Sequence, residues 1–232
     1  MLDSGNCFLA SRGSPSVSDD ELGTLIVRAM NGMGYDAMAL GEMDLASLPV
    51  MQARFREADF PILSANVDTA GELPNVRPYL LEEIGGHTVA IIGATNDRIG
   101  QVSQDWGSPL AVGNAIEAVQ RTVQEVKEQA NIVVVLSNLD RETNQTLARE
   151  APGIDAIIGA SGGQQSDEVT GPEGLVVLQA AGTRGEYLGV LTLNLDDGGR
   201  VAAFDARQMA LTPNYADDPY VASLIQELKA GP

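Results

Sequence analysis

The sequence predicts an α/β fold in which parallel strand–helix–strand units are followed by antiparallel strands. The parallel part is clearest between residues 132 and 163, where a β-branched apolar run precedes a polar helical segment and a second apolar run. Strand, helix and strand in about 30 residues indicate a right-handed unit of a parallel sheet. The antiparallel part is indicated by two alternating segments, 187–195 and 201–209, that flank the turn residues Asp197, Gly198 and Gly199. A hydrophobic content of 44% over 232 residues is enough for one large domain, and we expect residues 1–232 to form it.

The amino-terminal third alternates strands with helices. Residues 1–8 are typical of a short strand that runs into a loop. Ser18 and Glu21 form a capping box, and an apolar stripe at helical spacing follows until Gly32 and Gly34 end the helix. A strand over 35–40, a helix over 49–57 and a strand over 61–67 complete this part.

The central and carboxy-terminal parts continue the pattern. Strands over 77–84 and 87–94 meet at Gly85 and Gly86, and a polar connection over 93–109 leads to a helix. In the unit at 132–163, Asp140 can cap the helix, and Pro152 with Gly153 ends it before a strand over 154–158. A strand over 175–180 and the hairpin come next. The last helix starts at Asp218 and has the apolar stripe Val221, Leu224, Ile225 and Leu228.

Residues that directly follow the strands are the candidate site, because open α/β sheets bind ligands beyond the carboxyl ends of their strands. In the unit at 132–163 they are Ser137 with Asn138 and the run Gly159, Ala160, Ser161 and Gly162.

The ordered segments that carry these residues resemble the calcineurin-like metallophosphoesterases, and within them the 5′-nucleotidase (UDP-sugar hydrolase) branch. The segments are LDSGN at residues 2–6, GYDAMALGEMDL at 34–45, PILSANV at 61–67, VLSNL at 135–139 and GASGG at 159–163. The resemblance covers essentially the whole chain. It implies a four-layer α/β/β/α sandwich, two metal ions at the rim and an extracytoplasmic location, although no signal peptide is present in this chain.

The chain departs from the family at every metal-binding segment. The resemblance places Asn6 where the family has a bridging Asp, Glu42 where it has a metal-binding Asn, and Met43 where it has a proton-donating His. It places Asn138, Ala160 and Gly162 where the family has metal-binding histidines. Methionine cannot transfer a proton. The site therefore looks degenerate, with no catalytic residue and no metal expected.

The family's first motif, Asp-x-His on the first strand, would lie before Met1. That strand is usually inside the sheet, so its absence would leave two neighbouring edges unpaired. An open edge is a template for pairing with another strand. We therefore expect self-association or a protein partner at an open sheet edge.

Composition excludes several other roles. The formal charge of −18 disfavours nucleic acid and anionic lipid as partners, and no apolar run is long enough to cross a membrane. One cysteine, Cys7, and one histidine, His87, exclude an internal disulfide and most zinc chemistry. His87 reads as an ordinary strand residue and Cys7 as a small apolar one.

Three functions remain open. The first is a catalytically inactive relative that serves as a binding or assembly module. The second is an active metal-dependent phosphoesterase or 5′-nucleotidase whose missing ligands lie upstream or on a partner. The third is a calcium-stabilised structural domain, in which Asn6, Glu42, Asp44 and Asn138 form a weak calcium or magnesium site, since amide and carboxylate oxygens suit these ions. We expect no other cofactor.

Overall fold

Two β-sheets lie face to face between two pairs of helices in the computed structural model of the chain. The structure describes residues 1–8, 19–45, 48–69, 71–97, 110–159, 167–179 and 185–230. The order helix, sheet, sheet, helix confirms the predicted four-layer α/β/β/α sandwich. No helix in these ranges is both long enough and apolar enough to span a bilayer.

The elements of the described residues are as follows. The helices are α1 (Asp19–Met33), α2 (Leu48–Glu57), α3 (Ala115–Val126), α4 (Arg141–Glu150) and α5 (Pro219–Ala230), with a short 3₁₀ helix at Met43–Leu45. The strands are β1 (Leu2–Asp3), β2 (Ala37–Ala39), β3 (Ile62–Leu63), β4 (Val67–Asp68), β5 (Val76–Arg77), β6 (Tyr79–Ile84), β7 (His87–Ala94), β8 (Ala111–Val112), β9 (Ile132–Ser137), β10 (Ala156–Gly159), β11 (Asp167–Gly171), β12 (Gly174–Gln179), β13 (Tyr187–Leu195) and β14 (Val201–Ala210).

The strands form two main sheets and two small ones. The first sheet is parallel and has the order β1-β2-β3-β5. The second has the order β11-β12-β10-β9-β7-β6, with a parallel centre and an antiparallel strand at each edge. Strands β4 and β8 pair with each other, as do β13 and β14. The carboxyl ends of β1, β2, β7 and β9 therefore meet along one rim between the two sheets.

Three apolar clusters hold the layers together. The first lies between the first sheet and α1 with α2, and it includes Met38 and Phe55. The second lies between the second sheet and α3 with α4. The third fills the space between the two sheets and includes Ala39 and Leu136. The buried strands are thus covered by apolar side chains on both faces, which is why the parallel strands are continuous apolar runs in the sequence.

The predicted strand–helix–strand unit is confirmed as β9, α4 and β10. Asp140 caps α4, because its side chain accepts a hydrogen bond from the backbone N–H of Thr143 at 2.9 Å. Leu147 and Ala148 are fully buried, as the helical spacing predicts.

Several details of the predicted elements are wrong. The expected strand over 61–67 is split into β3 and β4, because the side chains of Ser64 and Asn66 bind tertiary partners there. Gly32 lies inside α1, and only Gly34, with a φ of 69°, ends it. Arg77 belongs to β5 in the first sheet, and β6 starts after Pro78. Ile225 is exposed while Leu224 of the same helix is buried.

Other predictions fall on residues that the structure does not describe. These are the capping residue Ser18, most of the connection over 93–109, and the candidate residues Ala160 and Gly162.

Candidate functional site

Asn138 joins three loops at the rim between the sheets. It directly follows β9, and its backbone N–H donates to the carbonyl of Ala94 at the end of β7 at 2.8 Å. Its side-chain Nδ2 donates to the carbonyl of Ser4 at 2.9 Å, and its Oδ1 accepts from the backbone N–H of Glu42 at 3.2 Å. The residue is 6% exposed, and both bonds are partly buried. Asn138 therefore cross-links the loops that follow β1 and β2.

Asn6 makes a second cross-link between the same two loops. Its Oδ1 accepts from the backbone N–H of Met43 at 2.8 Å. Its φ of 67° is a left-handed conformation that asparagine adopts more easily than most residues. The approach is close: a Cβ on Gly41 would lie 2.2 Å from Asn6 Oδ1, so only glycine fits there.

Asp44 is the anchor of both loops and is fully buried. Its Oδ2 accepts from the backbone N–H groups of Asn6 and Gly41, both at 2.9 Å, and its Oδ1 accepts from that of Phe8 at 3.3 Å. Burial raises the pKa of Asp44 to about 6, against the lowering effect of these bonds. The 3₁₀ helix at Met43–Leu45 places the carboxylate under the loops, so its role here is to hold backbone.

Asp3 and Cys7 lie beside this anchor. Burial raises the pKa of Asp3, although the Gly5 N–H donates to its carboxylate at 2.8 Å. Burial also raises the pKa of the Cys7 thiol, and the negative charges of Asp3 and Asp44 raise it further. Cys7 is half-buried, and both effects on its pKa favour the neutral thiol, which agrees with its predicted character as a small apolar residue.

A further polar network connects the two sheets at the same rim. Asn66 Oδ1 accepts from the Thr95 N–H at 2.9 Å, and Asn66 Nδ2 donates to the Thr95 carbonyl at 2.8 Å. The Thr95 hydroxyl lies 2.8 Å from Ser64 Oγ and donates to the Leu40 carbonyl at 2.8 Å. Sequence reasoning overlooked Thr95, although it follows β7 directly and obeys the same positional rule as Asn138.

These residues do not fit a pair of divalent metal ions. The oxygens of Asn6 and Asn138 are neutral and accept backbone hydrogen bonds, and Asp44 is sealed from solvent by three N–H donors. Glu42 contributes the one remaining carboxylate among these residues, and Met43 contributes no hard ligand. Across the described ranges, no three side chains of the His, Cys, Asp or Glu type come together as a metal site. We therefore derive no metal-dependent step.

The four residues of the predicted calcium or magnesium site do lie together. Asn6, Glu42, Asp44 and Asn138 are connected through backbone hydrogen bonds at the rim. Their proximity agrees with the sequence-based prediction that they line one rim. However, their contacts bind loop to loop rather than facing a shared space. The predicted ion remains untested, as does the absence of any other cofactor.

His87 lies away from this rim. It opens β7, at the opposite end from Thr95, and is half-buried near Gly199 of the β13–β14 turn. This position agrees with its interpretation as an ordinary strand residue.

Known proteins similar in sequence are 5′-nucleotidases and related phosphoesterases. The bovine (Bos taurus) 5′-nucleotidase is 28% identical over 230 residues, which cover 88% of this chain and 40% of that protein. A snake venom 5′-nucleotidase from Gloydius brevicauda is 27% identical over 232 residues. The trifunctional nucleotide phosphoesterase protein YfkN of Bacillus subtilis is 27% identical over 226 residues, 15% of its length. No model of a known protein family matches the sequence.

Solved structures show the same likeness. The 5′-nucleotidase precursor of Thermus thermophilus superposes with a TM-score of 0.83 at 25% identity, covering 99% of this chain and 48% of that one. The calcineurin-like phosphoesterase YfkN of Bacillus subtilis superposes with a TM-score of 0.76 at 24% identity. The chain thus spans less than half the length of the 5′-nucleotidases it matches.

Proposed function

Because the chain belongs to the calcineurin-like metallophosphoesterase superfamily, as a relative of its 5′-nucleotidases, we propose that it is a catalytically inactive member that serves as a binding or assembly module. One observation carries the proposal. Asn6 and Asn138 stand at two rim positions where the family uses a charged or imidazole ligand. The amide oxygens of both residues instead accept hydrogen bonds from backbone N–H groups of the loop after β2.

The chemistry of the rim supports this proposal. Divalent ions in such a site would supply the Lewis acid, the hydroxide and the clamp on the phosphate together. Neutral amides and one carboxylate cannot offset the charge of two divalent ions. Met43, at the position of the proton donor, has no proton to give. Uncatalysed phosphate ester hydrolysis is so slow that a site lacking these groups would give no measurable turnover.

The described edges of the sandwich suggest where a protein would bind. Strand β1 ends its sheet and pairs only with β2, over two residues. The hairpin β13–β14 forms a separate sheet, and its residues Leu191, Leu193 and Leu195 pack against the same inter-sheet cluster as Leu2 but stay only half-buried. Both elements therefore contact the same inter-sheet cluster, and among the described strands none pairs with the outer edge of β1 or of β13.

The assembly contact would lie at the outer edge of β1 or of β13, where a strand from a second copy or a partner protein would add by backbone pairing. Light scattering at micromolar concentration should show self-association, or a partner should reduce amide hydrogen exchange in β1 and β13. A monomer whose β1 and β13 amides already exchange slowly would contradict this placement.

An extracytoplasmic location is part of the proposal. Its support is the likeness to proteins described as snake venom 5′-nucleotidases, since venom enzymes are secreted. A fusion of the complete native gene product to a reporter active only outside the cytoplasm tests it.

The test of inactivity is a hydrolysis assay. Purified protein with added manganese, zinc, cobalt or calcium should not hydrolyse nitrophenyl phosphate, its diester or AMP above a buffer blank, with an active 5′-nucleotidase as the positive control. Clear turnover that Glu42→Ala abolishes would establish the competing function, a metal-dependent phosphoesterase. A rise in melting temperature with calcium and no turnover would instead favour the calcium-stabilised domain.

A further inference from the structure

A cluster of three sulfur atoms lies just beneath the rim. Cys7 Sγ is 3.2 Å from Met38 Sδ and 3.8 Å from Met30 Sδ. The three residues come from different elements, namely the loop after β1, helix α1 and strand β2. Both methionines are buried and Cys7 is half-buried, so the cluster sits at the margin of the apolar layer between the first sheet and its helices.

This combination of ligands has a specific preference. A thiolate and two thioethers are soft donors, which select Cu(I) over hard ions such as magnesium or calcium. A thiolate with a monovalent ion gives a neutral complex, which suits an apolar pocket. A divalent ion would leave a buried positive charge that needs a further anionic ligand. Of the two carboxylates near the Cys7 thiol, Asp44 is occupied by three backbone N–H donors, which leaves Asp3 to supply one.

We propose that Cys7, Met30 and Met38 form a binding site for a soft monovalent metal ion, Cu(I). The Cys7 S–H bond breaks when the ion binds, the sulfur keeps the electron pair to form the metal–sulfur bond, and the proton passes to the buffer. Nothing is oxidised or reduced, because copper enters as Cu(I). The site is independent of the proposed function, since it lies under the rim and involves none of the cross-linking amides.

The distances between the sulfur atoms show which side chain must move when the ion binds. Metal–thiolate bonds are about 2.3 Å long, so three sulfurs around one trigonal ion stand about 4 Å apart. The Cys7–Met30 separation of 3.8 Å already meets this requirement, and the Cys7–Met38 separation of 3.2 Å must widen. Methionine has three rotatable bonds in its side chain, so Met38 can give way without a shift of the strand. The bound ion would then connect loop, helix and strand.

The test is a titration under anaerobic, reducing conditions in which the protein competes for Cu(I) with a coloured chelator, bathocuproine disulfonate. We expect one Cu(I) per chain and a rise in melting temperature on binding. Met38→Leu and Met30→Leu each remove a sulfur at nearly constant volume and should weaken binding about tenfold or more. Met33→Leu, on the exposed face of α1, is the matched control and should leave the affinity for Cu(I) unchanged.

X-ray absorption spectroscopy at the copper edge completes the test, because it counts the sulfur atoms bound to the ion. Three sulfurs at a single distance are expected. The proposal is overturned if the protein fails to compete for Cu(I), or if Met38→Leu and Met30→Leu bind as tightly as the unsubstituted protein, which would leave a thiol acting alone. Removing the thiol itself, as in Cys7→Ser, could prevent folding. Both leucine variants keep Cys7 and the volume of the core, so they remain informative in that case.

Discussion

The substitution Asn138→Asp tests whether the rim is held by amide hydrogen bonds. The new side chain has the same shape and keeps an oxygen for the Glu42 N–H. It loses the Nδ2–H group that donates to the Ser4 carbonyl at 2.9 Å in the unsubstituted protein. A carboxylate there would face a carbonyl oxygen at a position only 6% exposed. Losing one bond and leaving a buried acceptor opposite a buried charge should lower the free energy of unfolding by about 2–4 kcal/mol at pH 8.

The effect should depend on pH with a definite sign. Burial raises the pKa of the introduced carboxyl in the folded state above its unfolded value of about 3.9. The folded state then binds more protons than the unfolded state, so stability falls as pH rises through the folded-state pKa. Below that range the protonated carboxyl can donate to the Ser4 carbonyl, and most of the loss should disappear.

Asn6→Asp is the matched control for this prediction. Asn6 is exposed, and among the described residues its side chain bonds through Oδ1 as an acceptor, which a carboxylate retains. Aspartate also tolerates a positive φ, so the cost should stay below about 1 kcal/mol. Urea unfolding followed by circular dichroism at pH 8 and pH 5 measures both variants. If Asn138→Asp is as stable as the unsubstituted protein at pH 8, or if both variants lose the same stability, the reasoning is refuted.

Three further predictions concern the same rim. The pKa of Asp44 is raised to about 6 in the folded state, so the free energy of unfolding should fall by up to about 3 kcal/mol as the pH rises from 4 to 6. Asp44→Asn should remove this slope from the pH dependence of urea unfolding. Gly41→Ala should cost about 2 kcal/mol or more, because its Cβ would lie 2.2 Å from Asn6 Oδ1, whereas Gly113→Ala, with 3.6 Å to the nearest atom, should be nearly neutral in the same assay. Thr95→Val keeps the shape but removes a hydroxyl at the end of β7 that bonds at 2.8 Å to Ser64 and Leu40 of the first sheet, and a thermal melt should show a loss of about 1–3 kcal/mol.

The parts of the fold that the sequence predicted are those governed by local pattern. The run of β-branched residues in β9, the cap at Asp140 and the buried pair Leu147 and Ala148 follow from periodicity and capping alone. The hairpin β13–β14 follows from alternation around a glycine turn.

The parts that it did not predict depend on distant partners. Strand pairing breaks at Ser64–Asn66 because Thr95, about 30 residues away, binds those side chains, and nothing in the local pattern announces it. Likewise, the sequence placed Asp44 at the rim only as a possible calcium or magnesium ligand. Only the fold shows that it is sealed under two loops. The order of rim segments predicted which residues meet, but not that their amides bind backbone.

Amide hydrogen bonds hold the rim, and we expect no divalent metal ion to bind there. A titration with manganese followed by electron paramagnetic resonance tests it most directly, since free and bound Mn(II) give different spectra. All added manganese should remain free, with no site tighter than about 0.1 mM, the range of weak oxygen sites. One or two manganese ions bound per chain at micromolar concentration, with the binding lost in Asn6→Ala or Asn138→Ala, would contradict the claim.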